Sequence, residues 1–121
     1  MKKLLLLSAL HICGFGFSQT LTVFDGSSIS IDANSSVTID GLELAPSATY
    51  TIAGPNAFDR TSTPIIVGGN SSINRVYTMT EVLSDYLGVI SFNYEDSELN
   101  GISESDLVLE VQDGNGIWNN V

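Results

Sequence analysis

Ser28-Ile29-Ser30-Ile31-Asp32 recurs eight residues later as Ser36-Val37-Thr38-Ile39-Asp40, and this repeat decides the fold. β-branched residues fill alternate positions, which is the period of a strand with one apolar face. Ala48-Thr49-Tyr50-Thr51-Ile52 is a looser third copy. Such a unit predicts either a hairpin edge of a sandwich or a few rungs of a solenoid, and three weak copies are too few to define a β-helix.

The later segments also alternate, with Gly, Asn, Asp, Ser or Pro between the runs. We therefore predict an all-β fold, an antiparallel β-sandwich that begins with a short repetitive β meander. Asp25-Gly26, Ala33-Asn34-Ser35 and Asp40-Gly41 are predicted turns, because Asn, Asp and Gly accept the positive φ of tight connections. The predicted strands cover residues 21–24, 28–32, 36–40, 42–45, 48–52, 64–67, 75–80, 89–94, 107–112 and 117–121.

Four segments are expected along the chain: a signal peptide (1–18), a Ser/Thr-rich β meander (19–53), a loop-rich junction (54–74) and the C-terminal sheet portion of the same domain (75–121). Thr78-Met79-Thr80-Glu81 matches a capping box, so residues 80–87 are an alternative helical turn. Asp113-Gly114-Asn115-Gly116 predicts a hairpin. The strand after it stops without turn, cap or polar tail, so we expect a truncated piece of a longer surface protein.

The N-terminus has the three parts of a secretory signal peptide: the positive Met1-Lys2-Lys3, a leucine-rich stretch, and small residues in Gly16-Phe17-Ser18. Its apolar stretch is shorter than the ~20 residues of a spanning helix. Ile12 stands where a lipid-attachment site at Cys13 would need a small residue. We expect a secreted or cell-surface protein, cleaved near Ser18 and not inserted in the membrane.

The negative charge of the chain excludes polyanionic partners. Both lysines lie in the signal peptide, so residues 19–121 keep only Arg60 and Arg75 against fourteen carboxylates, and the formal charge moves from −10 to −12. Nucleic acid is excluded because polyphosphate binding depends on Lys and Arg releasing counterions. Anionic membrane surfaces are excluded on the same ground.

Catalysis has little support in the composition. The only His and the only Cys precede residue 19, so no base or thiol activates the abundant serines, and a zinc site lacks its usual ligands. Paired carboxylates would suit glycoside hydrolysis, yet the short chain gives little from which to build a cleft. We predict that the protein is not an enzyme and needs no cofactor.

Two groups of residues are candidate sites. Asp96, Glu98 and Asn100 alternate before Gly101, like the start of a calcium loop, although Leu107 stands at the twelfth position and the alternative is a solvated connection. Exposed aromatics could stack on sugar rings, but in alternation they are more often core. The aromatic residues of the C-terminal half are Tyr77, Tyr86, Phe92, Tyr94 and Trp118.

Arg75-Val76-Tyr77, the run from Gly88 to Gly101, the run from Glu104 to Leu109, and Trp118 together resemble a β-sandwich segment of large exported proteins of Bacteroidetes-type bacteria. Such proteins usually carry a C-terminal type IX secretion sorting domain, which has no counterpart in these 121 residues. The resemblance implies a module of a secreted or surface protein and assigns no residue a chemical role.

The sequence thus predicts a non-catalytic extracellular module that serves as a spacer or adhesive part of a surface protein. The alternative is a carbohydrate- or calcium-binding module on the same fold. Expected partners are a surface glycan, another protein, or a second copy of the chain bound through the C-terminal edge strand.

Overall fold

The computed structural model describes residues 20–120, which form twelve short strands, two 3₁₀ helices (Asp96–Glu98 and Glu104–Asp106) and no α-helix. The predicted all-β antiparallel sandwich is confirmed, and it is not closed into a barrel. The predicted signal peptide lies outside the described residues. The strands are β1 Leu21–Val23, β2 Ser28–Ile31, β3 Val37–Ile39, β4 Leu42–Pro46, β5 Tyr50–Ala53, β6 Asn56–Thr61, β7 Ile66–Val67, β8 Asn70–Ser71, β9 Val76–Met79, β10 Gly88–Phe92, β11 Glu110–Gln112 and β12 Trp118–Asn120.

The first six strands pair as nested hairpins. β3 pairs with β4, β2 with β5, and β1 with β6, all antiparallel, so residues 21–58 form one long two-stranded ribbon. The ladder is interrupted between these three strand pairs. Between the β1–β6 and β2–β5 pairs, the Gly54 N–H donates to the Ser27 carbonyl (2.9 Å), just before the cis Gly54-Pro55 bond. Because the repeats pair antiparallel and across the ribbon, the solenoid alternative is excluded.

Two later strands widen the ribbon into the layers of the sandwich. β9 joins β6, giving the sheet order β1-β6-β9, and β10 joins β4, giving β10-β4-β3. The core lies between these layers, and the apolar positions of the sequence repeat point into it, as predicted. Its buried side chains are Val23, Ile31, Ile39, Leu42, Leu44, Ile52 and Phe58.

The loop-rich junction contains more strand than the sequence predicts. Besides the predicted strand near 64–67, seen as β7, it holds β8 and the six-residue β6. β6 has one buried apolar side chain, Phe58, and carries charges at Asp59 and Arg60, so its sequence lacks the β-branched alternation of the other strands. Strand partners on both sides, β1 and β9, stabilise it instead.

The alternative helical turn over residues 80–87 is wrong. The Thr80 N–H donates to the Ala57 carbonyl (3.1 Å), and the Glu81 N–H donates to Asn56 Oδ1 (3.1 Å). The buried Asn56 amide also donates to the Glu81 carbonyl (3.3 Å). The first N–H groups of a helix have no partner within it, so the decisive bond is the one to the Glu81 carbonyl, which Asn56 occupies in place of the Asp85 N–H of a helical turn. The rest of the segment closes only isolated turns, such as the one from the Tyr86 N–H to the Leu83 carbonyl (3.3 Å).

The predicted C-terminal hairpin is confirmed with shorter strands. β11 and β12 pair antiparallel, and the Asp113 N–H donates to the Ile117 carbonyl (2.9 Å) across the predicted turn. Residues 107–109, predicted as strand, lie outside β11 because the second 3₁₀ helix ends only at Asp106. Within residues 20–120 the hairpin pairs with no third strand.

Candidate functional site

Both arginines of the described chain converge on one carboxylate, Glu98. Arg60 Nη2 lies 2.5 Å from Glu98 Oε1, and Arg75 Nε lies 2.7 Å from Glu98 Oε2. Arg60 Nη1 also reaches Asp40 Oδ2 (3.2 Å). The three side chains around Glu98 come from β6, from the residue before β9 and from the turn after β3, so sheet pairing brings them together. We name Asp40, Arg60, Arg75 and Glu98 the ion-pair cluster.

The ion-pair cluster holds the tip of the ribbon. The Asp40 carbonyl accepts hydrogen bonds from Arg75 Nη1 (2.9 Å) and from the Tyr77 hydroxyl, and the Gly41 carbonyl accepts one from the Asn93 N–H (3.0 Å). Asp40 and Gly41 have φ of 47° and 93°, as a two-residue hairpin turn requires. A Cβ at position 41 would lie 2.6 Å from Arg75 Nη1, so glycine is also needed for this close approach.

The surroundings of Glu98 favour its ionised form. Partial burial alone would raise its pKa, but the hydrogen bonds from Arg75, the Glu95 N–H (2.8 Å) and Arg60 outweigh burial and lower the pKa from 4.5 to about 2. The Glu98 side chain is only 12% exposed, so these charge-assisted bonds are little screened by solvent. Glu98 therefore stays charged over the whole physiological pH range.

The chemistry of the ion-pair cluster is structural. Its arginines are bound to carboxylates of the same chain, and a carboxyl group with so low a pKa is a poor general acid or base near neutral pH. The cluster joins β6 and β9 of one layer to the β3–β4 turn of the other, and so closes one end of the sandwich.

The calcium candidates face different partners. Glu98 binds the two arginines, whereas the Asn100 amide donates to Ser71 Oγ and to the Ser72 carbonyl, both at 3.0 Å. Asp96 lies in the first 3₁₀ helix. In residues 20–120 no three or more His, Cys, Asp or Glu side chains are grouped to hold a metal ion. The calcium site thus gains no support from this geometry and stays a prediction.

Calcium is expected to change stability little. Because Glu98 already has two cationic partners, millimolar calcium should shift the melting temperature by less than about 2 °C, measured with and without a chelator. Magnesium at the same concentration is the control for ionic strength. A calcium-specific rise of about 5 °C or more would contradict this expectation and indicate a calcium site in the folded protein.

The five aromatic candidates do not form one exposed row. Tyr77 packs edge-on against Phe92, with ring centroids 5.1 Å apart, and Tyr86 packs edge-on against Tyr50 at 5.0 Å. Tyr77, Tyr86 and Phe92 also pack against the core. Tyr94 and Trp118 are half-buried. Core packing therefore accounts for three of the five.

An open depression of about 500 Å³ lies beside the ion-pair cluster. Asp40, Gly41 and Arg75 belong to its lining together with Thr38 and the segment 93–95, which contributes Asn93, Tyr94 and Glu95. The Tyr94 hydroxyl donates to Glu104 Oε1 (3.2 Å). We name this surface the end depression. It was not predicted from the sequence, because its residues come from separate parts of the chain.

The sequence held one signal for the ion-pair cluster. Residues 19–121 contain two arginines and fourteen carboxylates, so an ion pair for each arginine is expected from the composition. The identity of those partners depends on the register of β6 against β9, where Arg60 pairs with Tyr77, and on the 3₁₀ helix that presents Glu98. Neither feature was predicted.

Neither a protein-family model, nor a curated protein, nor a solved structure matches the chain. The resemblance to exported β-sandwich segments therefore stays an expectation. Among the residues that the structure describes, no helix is long and apolar enough to cross a membrane.

Proposed function

We propose that this protein is a non-catalytic extracellular β-sandwich module, a spacer or adhesive part of a secreted or surface protein. The observation that carries the proposal is the use of both arginines, the cations of residues 20–120, in internal ion pairs that close the sandwich. Residues 20–120 contain no His, Cys or Lys to act as nucleophile or base. The residues with the strongest electrostatic interactions thus stabilise the fold.

The proposal is tested by two measurements, an assay for enzymatic activity and the location of the protein in the cell. The purified exported chain should release no product from chromogenic glycosides, esters or peptides, and the endogenous protein should fractionate with the medium or the cell surface. Glu98→Gln and Glu95→Gln variants control for contaminating hydrolases, because a contaminant would act equally in all three preparations. Turnover that disappears in one of these variants, or a protein retained inside the cell, would overturn the proposal.

Export should be accompanied by cleavage between Ser18 and Gln19. Small residues at Gly16 and Ser18 fit the signal-peptidase pocket, and N-terminal sequencing or intact-mass measurement of the exported protein reads the cleavage point directly. Replacing Ser18 by Phe should block processing, while the same change at Ser28, beyond the pocket, should not. An exported chain that begins at Met1, or one lipidated at Cys13, contradicts the expectation.

We further propose that two copies associate through the C-terminal hairpin. β11 and β12 pair only with each other in residues 20–120, they carry no Lys or Pro, and Ile117 beside them is 58% exposed. Such edges pair with other strands, opposed here by the negative charge of the protein.

Raising the salt concentration should therefore drive association, because salt screens the repulsion between copies. Sedimentation velocity from about 0.05 to 1 M NaCl should show a growing dimer fraction, and proline in place of Asn120, whose N–H faces away from β11, should abolish it by removing an edge N–H. Proline at Asn115, in the turn, is the comparison variant. A monomer at every salt concentration would overturn the association.

A further inference from the structure

We propose that the end depression binds a neutral saccharide. This inference rests on the proposed function, because it supplies a ligand class for an adhesive module. The depression has about 500 Å³ of volume, open to solvent, and one end of it is fixed by the ion-pair cluster. Its lining combines hydroxyl, amide, carboxylate and guanidinium groups with one tyrosine.

The charges of the lining select against an anionic ligand. Arg75 is the cation of the lining, and it is already bound to Glu98 Oε2 (2.7 Å) and to the Asp40 carbonyl (2.9 Å). Two carboxylates, those of Asp40 and Glu95, also line the depression. A phosphate or carboxylate ligand would meet repulsion with no uncommitted cation to offset it. A neutral ligand avoids this cost.

The exposed part of the lining suits a ligand with many hydroxyl groups. Thr38, Asn93 and Glu95 are exposed, and together they offer a hydroxyl, an amide and a carboxylate. A sugar hydroxyl both donates and accepts hydrogen bonds, so it can bond to each of these groups. The half-buried Tyr94 ring adds an aromatic surface for the apolar C–H face of a pyranose.

Two side chains of the lining, Asn93 and Tyr94, are held in place before a ligand arrives. Asn93 donates its N–H (3.0 Å) and its side-chain amide (3.3 Å) to the Gly41 carbonyl, while the Tyr94 hydroxyl is bound to Glu104. Fixed side chains lose little further freedom on binding. Since the depression is open and covers only part of a ligand, the expected dissociation constant is on the order of 1 mM.

The test is a ¹⁵N NMR titration of the exported chain with D-glucose, D-galactose, D-mannose, D-xylose and their β-1,4-linked disaccharides, each up to about 50 mM. At least one sugar should cause saturable shifts at the amides of Thr38, Asn93, Tyr94 and Glu95. Inorganic phosphate under the same conditions should cause none there. The absence of saturable shifts with every sugar, shifts confined to another surface, or tighter binding of phosphate would overturn the saccharide site.

Matched variants separate the contributions. Tyr94→Ala and Asn93→Ala should each weaken binding at least tenfold, while Tyr94→Phe, which keeps the ring, should bind within about twofold of the unchanged protein. Asn119→Ala is the control for Asn93→Ala, because the Asn119 amide also donates to one backbone carbonyl (3.1 Å) but lies in β12. Equal affinity in Asn93→Ala and Asn119→Ala would overturn the proposal.

The same titrations distinguish the two proposals. Conversion of a bound sugar to product would overturn the non-catalytic function, even with the site as proposed. Absence of both binding and turnover would overturn the saccharide site alone and leave the spacer function standing.

Discussion

Phe58→Ala should be among the most destabilising single substitutions in this protein. Phe58 is 1% exposed, in the central strand of the β1-β6-β9 sheet, and packs with Val23, Leu44 and Ile52 in the core. Removing a buried phenyl ring costs the transfer free energy of the ring and leaves a cavity, about 3–5 kcal/mol together. Thermal or urea unfolding should show a melting temperature lowered by about 12 °C or more for a domain of this size.

Phe24→Ala is the matched control. Phe24 follows β1 and is 73% exposed, so the same chemical change should alter the free energy of unfolding by less than about 0.5 kcal/mol. If Phe58→Ala has no proper fold, Phe58→Leu should still fold with a smaller loss and serve in its place. Equal stability of Phe24→Ala and the Phe58 variants would contradict the position of the core.

Glu98→Gln should have the next largest effect. The amide keeps the shape of the carboxylate but removes the charge that Arg60 and Arg75 share, and it places an N–H donor group between two cations. Charge-assisted bonds of this kind contribute about 1.5–3 kcal/mol, so we expect a loss of about 2 kcal/mol at pH 7. Glu110→Gln, at an exposed position of β11, should change stability little.

The effect of Glu98→Gln should depend on pH. The pKa of Glu98 in the folded protein is lowered from 4.5 to about 2, so its contribution is complete above the unfolded pKa and is lost as the pH falls through the folded pKa. The stabilities of the unchanged protein and the variant should converge between about pH 4.5 and pH 2. Unfolding curves that keep a constant separation down to pH 2 would show that Glu98 is not paired.

Local pattern was enough to predict most of the strands of the ribbon, although not the nested pairing of β1 with β6 and β2 with β5 that joins them. In β2 and β3, the alternation that places Ile31 and Ile39 in the core can be read from the residues alone, and the turn at Asp40-Gly41 follows from the φ angles that these residues accept. β6 was missed because its stability comes from its two strand neighbours, which a local pattern does not record.

The prediction of a helical turn over residues 80–87 is wrong because it rests on a local motif. The capping-box motif is local, while the groups that occupy the Thr80 and Glu81 backbone come from β6. The ion-pair cluster is still less local, since its four residues lie in four separate segments of the chain. The sequence shows which charged residues are present, whereas the strand register determines which of them form ion pairs.

The nested pairing of the first six strands has a consequence for folding kinetics. Ile39 and Leu42 close across a two-residue turn, whereas Leu21 must find Phe58 from the far end of the ribbon, so the outer pair has a high contact order. Once β3 and β4 are joined, however, they shorten the free chain that β2 and β5 must close, and that pair does the same for β1 and β6. Each step then costs less loop-closure entropy than it would alone. We expect strand pairing to begin at the Asp40-Gly41 turn and to proceed outward along the ribbon. The Leu21–Val23 strand should pair last.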